Sequence, residues 1–294
     1  MVLVPSSMPS VANDLAPAAA TKSAVRRYAQ AVEERPMVAG RVWELSQDAA
    51  GSRDVQKALD MASSDDERAA LADELRGHVW SAICCPHANH VLQNCIVSMR
   101  SPHLKFIIDE LMDGGFVMKA AQHRYGCRIL QRLMEHCRID QSHAIFDKLL
   151  SDAIRLSMHS YASFVMAHVL EYGTPDHQNR FVAMLVRHAP ALGVHSFACG
   201  VVHKALVVSP EEGRMALARA LLKQRDVISK MARRRRGYSA VLSFLELMPP
   251  GSPEYQEACA QLREAEPFLS RARYGRRIVK LWKSSAERAG LDED

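Results

Sequence analysis

The sequence predicts an all-α chain of stacked repeats, and three observations carry that prediction. A five-residue pattern recurs at a steady interval, apolar residues keep fixed places around it, and no convincing run of alternating strand character appears. The segments are SRDVQ (52–56), NHVLQ (89–93), CRILQ (127–131), SFVMA (163–167), CGVVH (199–203), SAVLS (239–243) and RRIVK (276–280). Their starts lie 37, 38, 36, 36, 40 and 37 residues apart. A period this steady predicts a solenoid whose units touch only their neighbours.

Each unit is expected to begin its segment on a helix. The fourth residue of each segment is Val55, Leu92, Leu130, Met166, Val202, Leu242 or Val279. Two residues after the fifth come Ala58, Cys95, Leu133, Val169, Ala205, Leu245 and Trp282. These offsets place both columns on one apolar stripe. Just before each segment stands Gly51, Ala88, Gly126, Ala162, Ala198, Tyr238 or Gly275. All but one are small, which suits close helix packing. A second helix follows, its start marked by Ser101-Pro102, Thr174-Pro175, Ser209-Pro210 and Ser252-Pro253, where the hydroxyl caps free N–H groups and proline fits the first turn. In the first unit Ser64 and Glu67 are spaced as a capping box.

Composition bounds the function classes. The chain has 294 residues, 48% of them hydrophobic, enough for a sizeable core. The net charge of +5 is mild, but residues 214–283 hold 16 basic against 6 acidic side chains, a polyanion-binding balance or a solvated helical face. Seven cysteines without a CxxC pair suit a reducing compartment and buried thiols. No apolar run has membrane-crossing length. Residues 1–36 and 284–294 read as disordered tails, leaving a repeat domain over 37–283 with six repeat-like units and a closing pseudo-repeat. There is no phosphate-binding glycine loop, paired-carboxylate motif or nucleophile elbow, so an enzyme, a cofactor and a metal are not expected. His123, His159 and His195 recur every 36 residues, too far apart in stacked repeats to share a metal, and read as loop or packing residues.

Three stretches resemble the Pumilio family of RNA-binding repeat proteins: GRVWELSQDAAGSRDVQKAL (40–59), HRYGCRILQRLMEHC (123–137) and RYGRRIVKLW (273–282). The resemblance covers about residues 37–283. It implies a right-handed, crescent-shaped solenoid of three-helix repeats with single-stranded RNA along its concave face. The family usually has eight full repeats, more than this chain shows.

The residue types suit that role. Positions one and five of a segment lie about one helical turn apart and share a face. An amide at position five can donate to and accept from a base edge, a small position one leaves room for a purine, and a flat group at position two stacks between bases. By resemblance Ser52 with Gln56 and Cys127 with Gln131 read adenine, and Asn89 with Gln93 reads uracil, with Arg53, His90, Arg128 and Phe164 as stackers. In the family the N-terminal repeats bind the RNA 3′ end, which implies AUA there. Beyond them the pattern degenerates: Ser163, Phe164 and Ala167 lack the amide, Cys199, Gly200 and His203 lack the stacker, and Ser239, Ala240 and Ser243 lack both. The pairs that the family uses for a 5′ UGU are absent. Arg233, Arg234, Arg235 and Arg236 stand as phosphate contacts, a solvated loop or a nuclear-import signal, and Arg276 and Arg277 as further phosphate contacts at the 5′ end. The resemblance implies a cytoplasmic, monomeric post-transcriptional regulator. It would act on the 3′ untranslated regions of mRNA, with regulatory proteins on the convex face. The competing reading is a protein-interaction solenoid with largely non-specific RNA contact.

Overall fold

The computed structural model describes residues 38–249 and 251–288, and among them there is no strand. The tail expected over residues 1–36 lies outside the described residues, as do residues 289–294. Three helices make each unit. Unit 1 is α1 (Val42–Ser46), α2 (Gly51–Met61) and α3 (Asp65–Asp73); unit 2 is α4 (Val79–Cys84), α5 (Ala88–Ser98) and α6 (Lys105–Asp113), the last preceded by a 3-10 turn over Ser101–Leu104. Unit 3 is α7 (Val117–Gln122), α8 (Gly126–His136) and α9 (Ile139–Leu150). Unit 4 has α10 (Ala153–Ser157), α11 (Ala162–Tyr172) and α12 (Pro175–Gly193). The helix α12 continues through Pro190, so its end also serves as the first helix of unit 5, which adds α13 (Ala198–Val208) and α14 (Glu211–Leu222). Unit 6 is α15 (Val227–Ala232), α16 (Arg235–Leu247) and α17 (Pro253–Glu264), and α18 (Glu266–Leu269) with α19 (Arg273–Arg288) closes the array. The domain boundary expected at 283 therefore falls inside a helix.

Consecutive middle helices, α2, α5, α8, α11, α13, α16 and α19, pack side by side as one layer. Last helices form a second layer, from α6 through α9, α12 and α14 to α17. Between the layers one continuous apolar core runs from Val42 to Val279. The fourth-position column sits at its centre, with Val55, Leu92, Leu130, Met166 and Val202 all fully buried.

One column departs from the expected register. Gly237, not Tyr238, holds the close-approach position near the start of the middle helix of unit 6, two residues into α16. A Cβ on Gly126 would lie 2.6 Å from the Ala120 carbonyl oxygen, six residues back, and Gly51, Gly237 and Gly275 meet the carbonyls of Leu45, Met231 and Leu269 in the same way. Burial agrees: Val241 and Phe244 are buried, whereas Leu242 and Leu245, expected in those columns, are only half-buried. The segment is thus Tyr238–Leu242, one residue earlier than expected, and the column before the segments is small without exception.

The caps are partly as expected. Ser64 accepts from the Glu67 N–H at 3.1 Å, but Glu67 reaches back to the N–H of Ser63 at 2.7 Å, so the box spans one residue more. Thr174 and Ser252 cap α12 and α17. Ser101 does not cap; its hydroxyl accepts from the Arg138 N–H at 2.9 Å and bonds Gln141, tying unit 2 to unit 3. Ser209 makes no cap either, because α14 starts later, with Pro210 itself at the cap position.

Units also close on themselves through glutamates. Glu74 accepts from the N–H groups of Gly40 and Val42 at 2.7 and 2.8 Å, and Glu110 from those of Gly77 and Val79 at 2.7 and 3.2 Å. Gly40 and Gly77 take φ of +83° and +75°, a backbone that side chains resist, to turn their N–H toward these carboxylates. Along the adjoining edge Trp43 stacks on His78 and Trp80 on Phe116, at 4.5 and 4.7 Å between ring centres.

The close approach at the helix start gives a direct test. Gly126→Ala should lose about 1–3 kcal/mol by overpacking against the α7 backbone. Gly200→Ala, whose Cβ would meet nothing nearer than Arg236 Cδ at 3.8 Å, should be neutral or stabilising by up to ~1 kcal/mol. Urea unfolding midpoints of the two variants decide, and equal effects would contradict the packing account.

Candidate nucleic-acid interface

The middle helices carry every expected base-reading residue, and each is oriented by the turn before it. His123 Nδ1 accepts from the N–H groups of Tyr125 and Gly126, both at 3.3 Å. His159 does the same for Tyr161 and Ala162, and His195 for Phe197 and Ala198. In unit 1 the part is played by Asp48, whose Oδ1 accepts from Ala50 and Gly51 at 2.8 and 2.9 Å. In unit 2 Cys85 Sγ accepts from Ala88 at 3.4 Å. The recurring histidines are thus N-terminal caps that fix where each middle helix begins. Sequence reasoning placed them in the loops but missed this role.

Position one forms the floor of the layer: Ser52, Asn89, Cys127, Ser163 and Cys199 are all buried. Asn89 Nδ2 donates to the Cys85 carbonyl at 2.8 Å, and Gln93 Nε2 donates to Asn89 Oδ1 at 3.0 Å, so the two amides of unit 2 form one oriented pair. Gln56 Nε2 donates to the Ser52 carbonyl at 2.9 Å. In unit 3 Arg128 donates to Gln131 Oε1 at 3.1 Å, so the flat cation lies across the amide beneath it. Position two is outward in units 1 to 4: Arg53, His90, Arg128 and Phe164 are exposed. Burial pushes the Cys199 thiol up to about 11, so it behaves as a small apolar floor group.

The arginine run does not act as one clamp. Arg233, Arg234 and Arg235 are exposed, and Arg233 lines a rim hollow with Arg225, Lys230 and Phe268. Arg236 instead turns onto the middle-helix face. Its guanidinium lies 4.9 Å from the ring centre of Phe164 and 5.3 Å from that of Phe197, directly over the space left by Gly200. These residues, with Ser163, Ala167, His203 and Ser239, line a cavity of about 200 Å³. Ser239 faces it beside Gly200 and Phe164, as position two of the corrected register requires. In that register unit 6 offers Tyr238, Ser239 and Leu242 instead of Ser239, Ala240 and Ser243, and still has no amide. Arg276 and Arg277 are exposed at the start of α19.

The family model for the Pumilio-family RNA binding repeat matches residues 41–76, 83–112, 118–150, 152–186 and 188–222, more than half of the chain. The chain belongs to the Pumilio family. The matched spans are units 1 to 5, and the three-helix pattern continues beyond them to Glu264. The chain is 31% identical over 94 residues to Pumilio homology domain family member 4 of Saccharomyces cerevisiae, covering 32% of this chain and 10% of that protein. To Pumilio homolog 12 of Arabidopsis thaliana it is 25% identical over 118 residues, 40% of this chain and 20% of that protein. The chain therefore spans only a small part of the length of these relatives. The solved structure of PUF-8 in complex with PBE-RNA has a TM-score of 0.75 at 20% identity, covering 88% of this chain and 75% of that one. The Puf4 RNA-binding domain bound to an HO endonuclease RNA 3′ UTR sequence has a TM-score of 0.72 at 22% identity, covering 83% and 76%. The fold is the crescent-shaped, right-handed Pumilio solenoid. Among the described residues no helix is long and apolar enough to cross a membrane.

The histidine caps make stability depend on pH. Burial first, and then the neighbouring Arg124 and Arg155, hold the pKa values of His123 and His159 below the usual value. Their contribution is complete above the unfolded value of about 6.5 and is lost as pH falls through the lower folded values, since a protonated Nδ1 cannot accept. The double variant His123→Asp/His159→Asp copies the Asp48 cap and should show a shallower loss of unfolding midpoint between pH 6.5 and 5. An unchanged slope would contradict the capping role.

Proposed function

We propose that the protein binds single-stranded RNA along its concave face and reads base identity with units 1 to 3. The observation that supports this most is the set of three triads at matching places on adjacent middle helices: Ser52, Arg53 and Gln56; Asn89, His90 and Gln93; Cys127, Arg128 and Gln131. Their buried first positions leave a floor, the amides stand one turn further on, and the second positions point outward as stacking groups. With the 3′ end of the RNA at unit 1, the site ends in AUA. At unit 3 the Arg128 guanidinium must slide off Gln131 to let adenine reach the amide, and it then covers the base it has admitted.

Units 4 to 6 hold RNA without reading it closely. They offer no amide at position five, and Arg236 supplies the flat group that Gly200 lacks. The surplus of basic residues in the C-terminal third, including Arg276 and Arg277, suits phosphate contact. Related Puf RNA-binding domains have been solved bound to 3′ UTR recognition sequences, which supports 3′ untranslated regions of mRNA as targets; control of translation or decay would be the outcome, in the cytoplasm. Regulatory proteins would meet the convex layer of last helices.

The pair Asn89→Ser with Gln93→Glu should move the preference of unit 2 from uracil toward guanine, because a carboxylate accepts from the guanine N1–H and N2–H edge. Titration of RNAs that differ only at that base reads the outcome, and an unchanged base ranking would contradict base reading by α5. Arg236→Ala should weaken RNA binding by about 1–3 kcal/mol, as loss of a stacking group does, with little dependence on the base opposite unit 5. Arg235→Ala should cost less and flatten the salt dependence only, so equal losses in both variants would count against the stacking role.

A further inference from the structure

One side-chain cluster lies outside the concave face and takes no part in the RNA reading. It joins the last helices of units 3 and 4. His143 and Asp147 stand one turn apart on α9, so both project from the same side. His177, in the first turn of α12, faces them. His143 Nδ1 is 3.2 Å from Asp147 Oδ2, and His177 Nε2 is 3.6 Å from Asp147 Oδ1. All three ligand atoms lie within 4.8 Å of one another. His177 is 0% exposed and its Nε2 has no hydrogen-bond partner. A buried, unpartnered ring nitrogen aimed at a carboxylate and a second imidazole is an unmet polar group, and such groups call for an occupant.

We propose that His143 Nδ1, the Asp147 carboxylate and His177 Nε2 form a three-ligand site for a zinc-class dication on the convex face, clamping unit 3 to unit 4. Tetrahedral zinc with bonds of about 2.0–2.1 Å sets its ligand atoms roughly 3.3 Å apart. The two imidazoles here approach different oxygens of Asp147, so binding through one oxygen draws the three ligand atoms together from within 4.8 Å. Two imidazoles and one carboxylate favour zinc, nickel or copper over magnesium or calcium. The fourth position opens to solvent beside the exposed His143 and takes water.

The surrounding groups fit that occupant. Thr174 Oγ1 lies 2.7 Å from His177 Nδ1. Metal at Nε2 puts the remaining ring proton on Nδ1, where this hydroxyl accepts it, and the Thr174 N–H, 3.3 Å away, gives up its contact with that nitrogen. Arg180 competes for the place: it donates to Asp147 Oδ1 at 2.9 Å and to Asp176 Oδ2 at 3.1 Å. It is half-exposed, and when metal takes Asp147 it can remain on Asp176.

Arg180 supplies the discriminating test. Zinc binding to the full chain is measured by calorimetry and by the rise in unfolding temperature at pH 7.5, with a non-chelating reductant present. His143→Ala and Asp147→Asn should each weaken binding at least tenfold, while His188→Ala, an exposed histidine elsewhere on α12, leaves it unchanged. Arg180→Ala should tighten it several-fold by freeing Asp147. RNA affinity should be unaffected in all four variants, which separates this proposal from the RNA reading. Cobalt in place of zinc should give a spectrum without a thiolate charge-transfer band. No zinc binding by the parent chain, zinc bound equally by the His143 and Asp147 variants, a thiolate band pointing to the exposed Cys84, or weaker binding in Arg180→Ala would each overturn the proposal.

Discussion

The start of each middle helix is where the repeat is decided. There the chain turns back so sharply that Gly51, Gly126, Gly237 and Gly275 each approach the carbonyl of a residue six earlier, and the matching places in units 2, 4 and 5 hold alanine. The same turn leaves N–H groups unpaired, and an acceptor two or three residues back takes them up. It is Asp48 in unit 1, Cys85 in unit 2 and a histidine in units 3, 4 and 5. The two conditions together fix the rotation of the middle helix. That rotation sends position one into the floor and, in units 1 to 4, position two into solvent, with position five half-buried or buried one turn further along. Base reading needs side chains set to within a fraction of an ångström, and a helix pinned at its first turn provides that.

Much of this was legible because a solenoid repeats its errors as well as its rules. The apolar fourth position and the small residue before each segment are set by packing, and packing recurs with the fold. The misplacement in unit 6 was visible too: Tyr238 was the one large residue in an otherwise small column, while Gly237 stood beside it. The longer connection before α16 hid the shift, because Arg233–Arg236 carry no apolar periodicity to hold the register. The split within that run was not legible. Arg236 reaches the groove only because Gly200, in another unit, leaves room between Phe164 and Phe197. The histidine caps and the His143, Asp147 and His177 cluster also depend on turns and neighbours that linear spacing does not display, although His143 and Asp147 stood at helical spacing.

On the proposed reading, the two halves of the middle-helix layer divide the work by chemistry. Units 1 to 3 present amides held by short hydrogen bonds to their own helices, a surface that discriminates among base edges. Units 4 to 6 replace amides with alanine, histidine and leucine and add arginine, a surface that favours any stacked base and any phosphate. On the proposed reading, affinity and selectivity lie at opposite ends of the crescent, and the protein holds a longer RNA than it reads.

Selection from a random pool of single-stranded RNA bears most directly on that division. The enriched sequences should share an AUA at the 3′ end of the protected stretch and vary freely upstream of it. Flat enrichment, or a conserved 5′ UGU, would contradict the account.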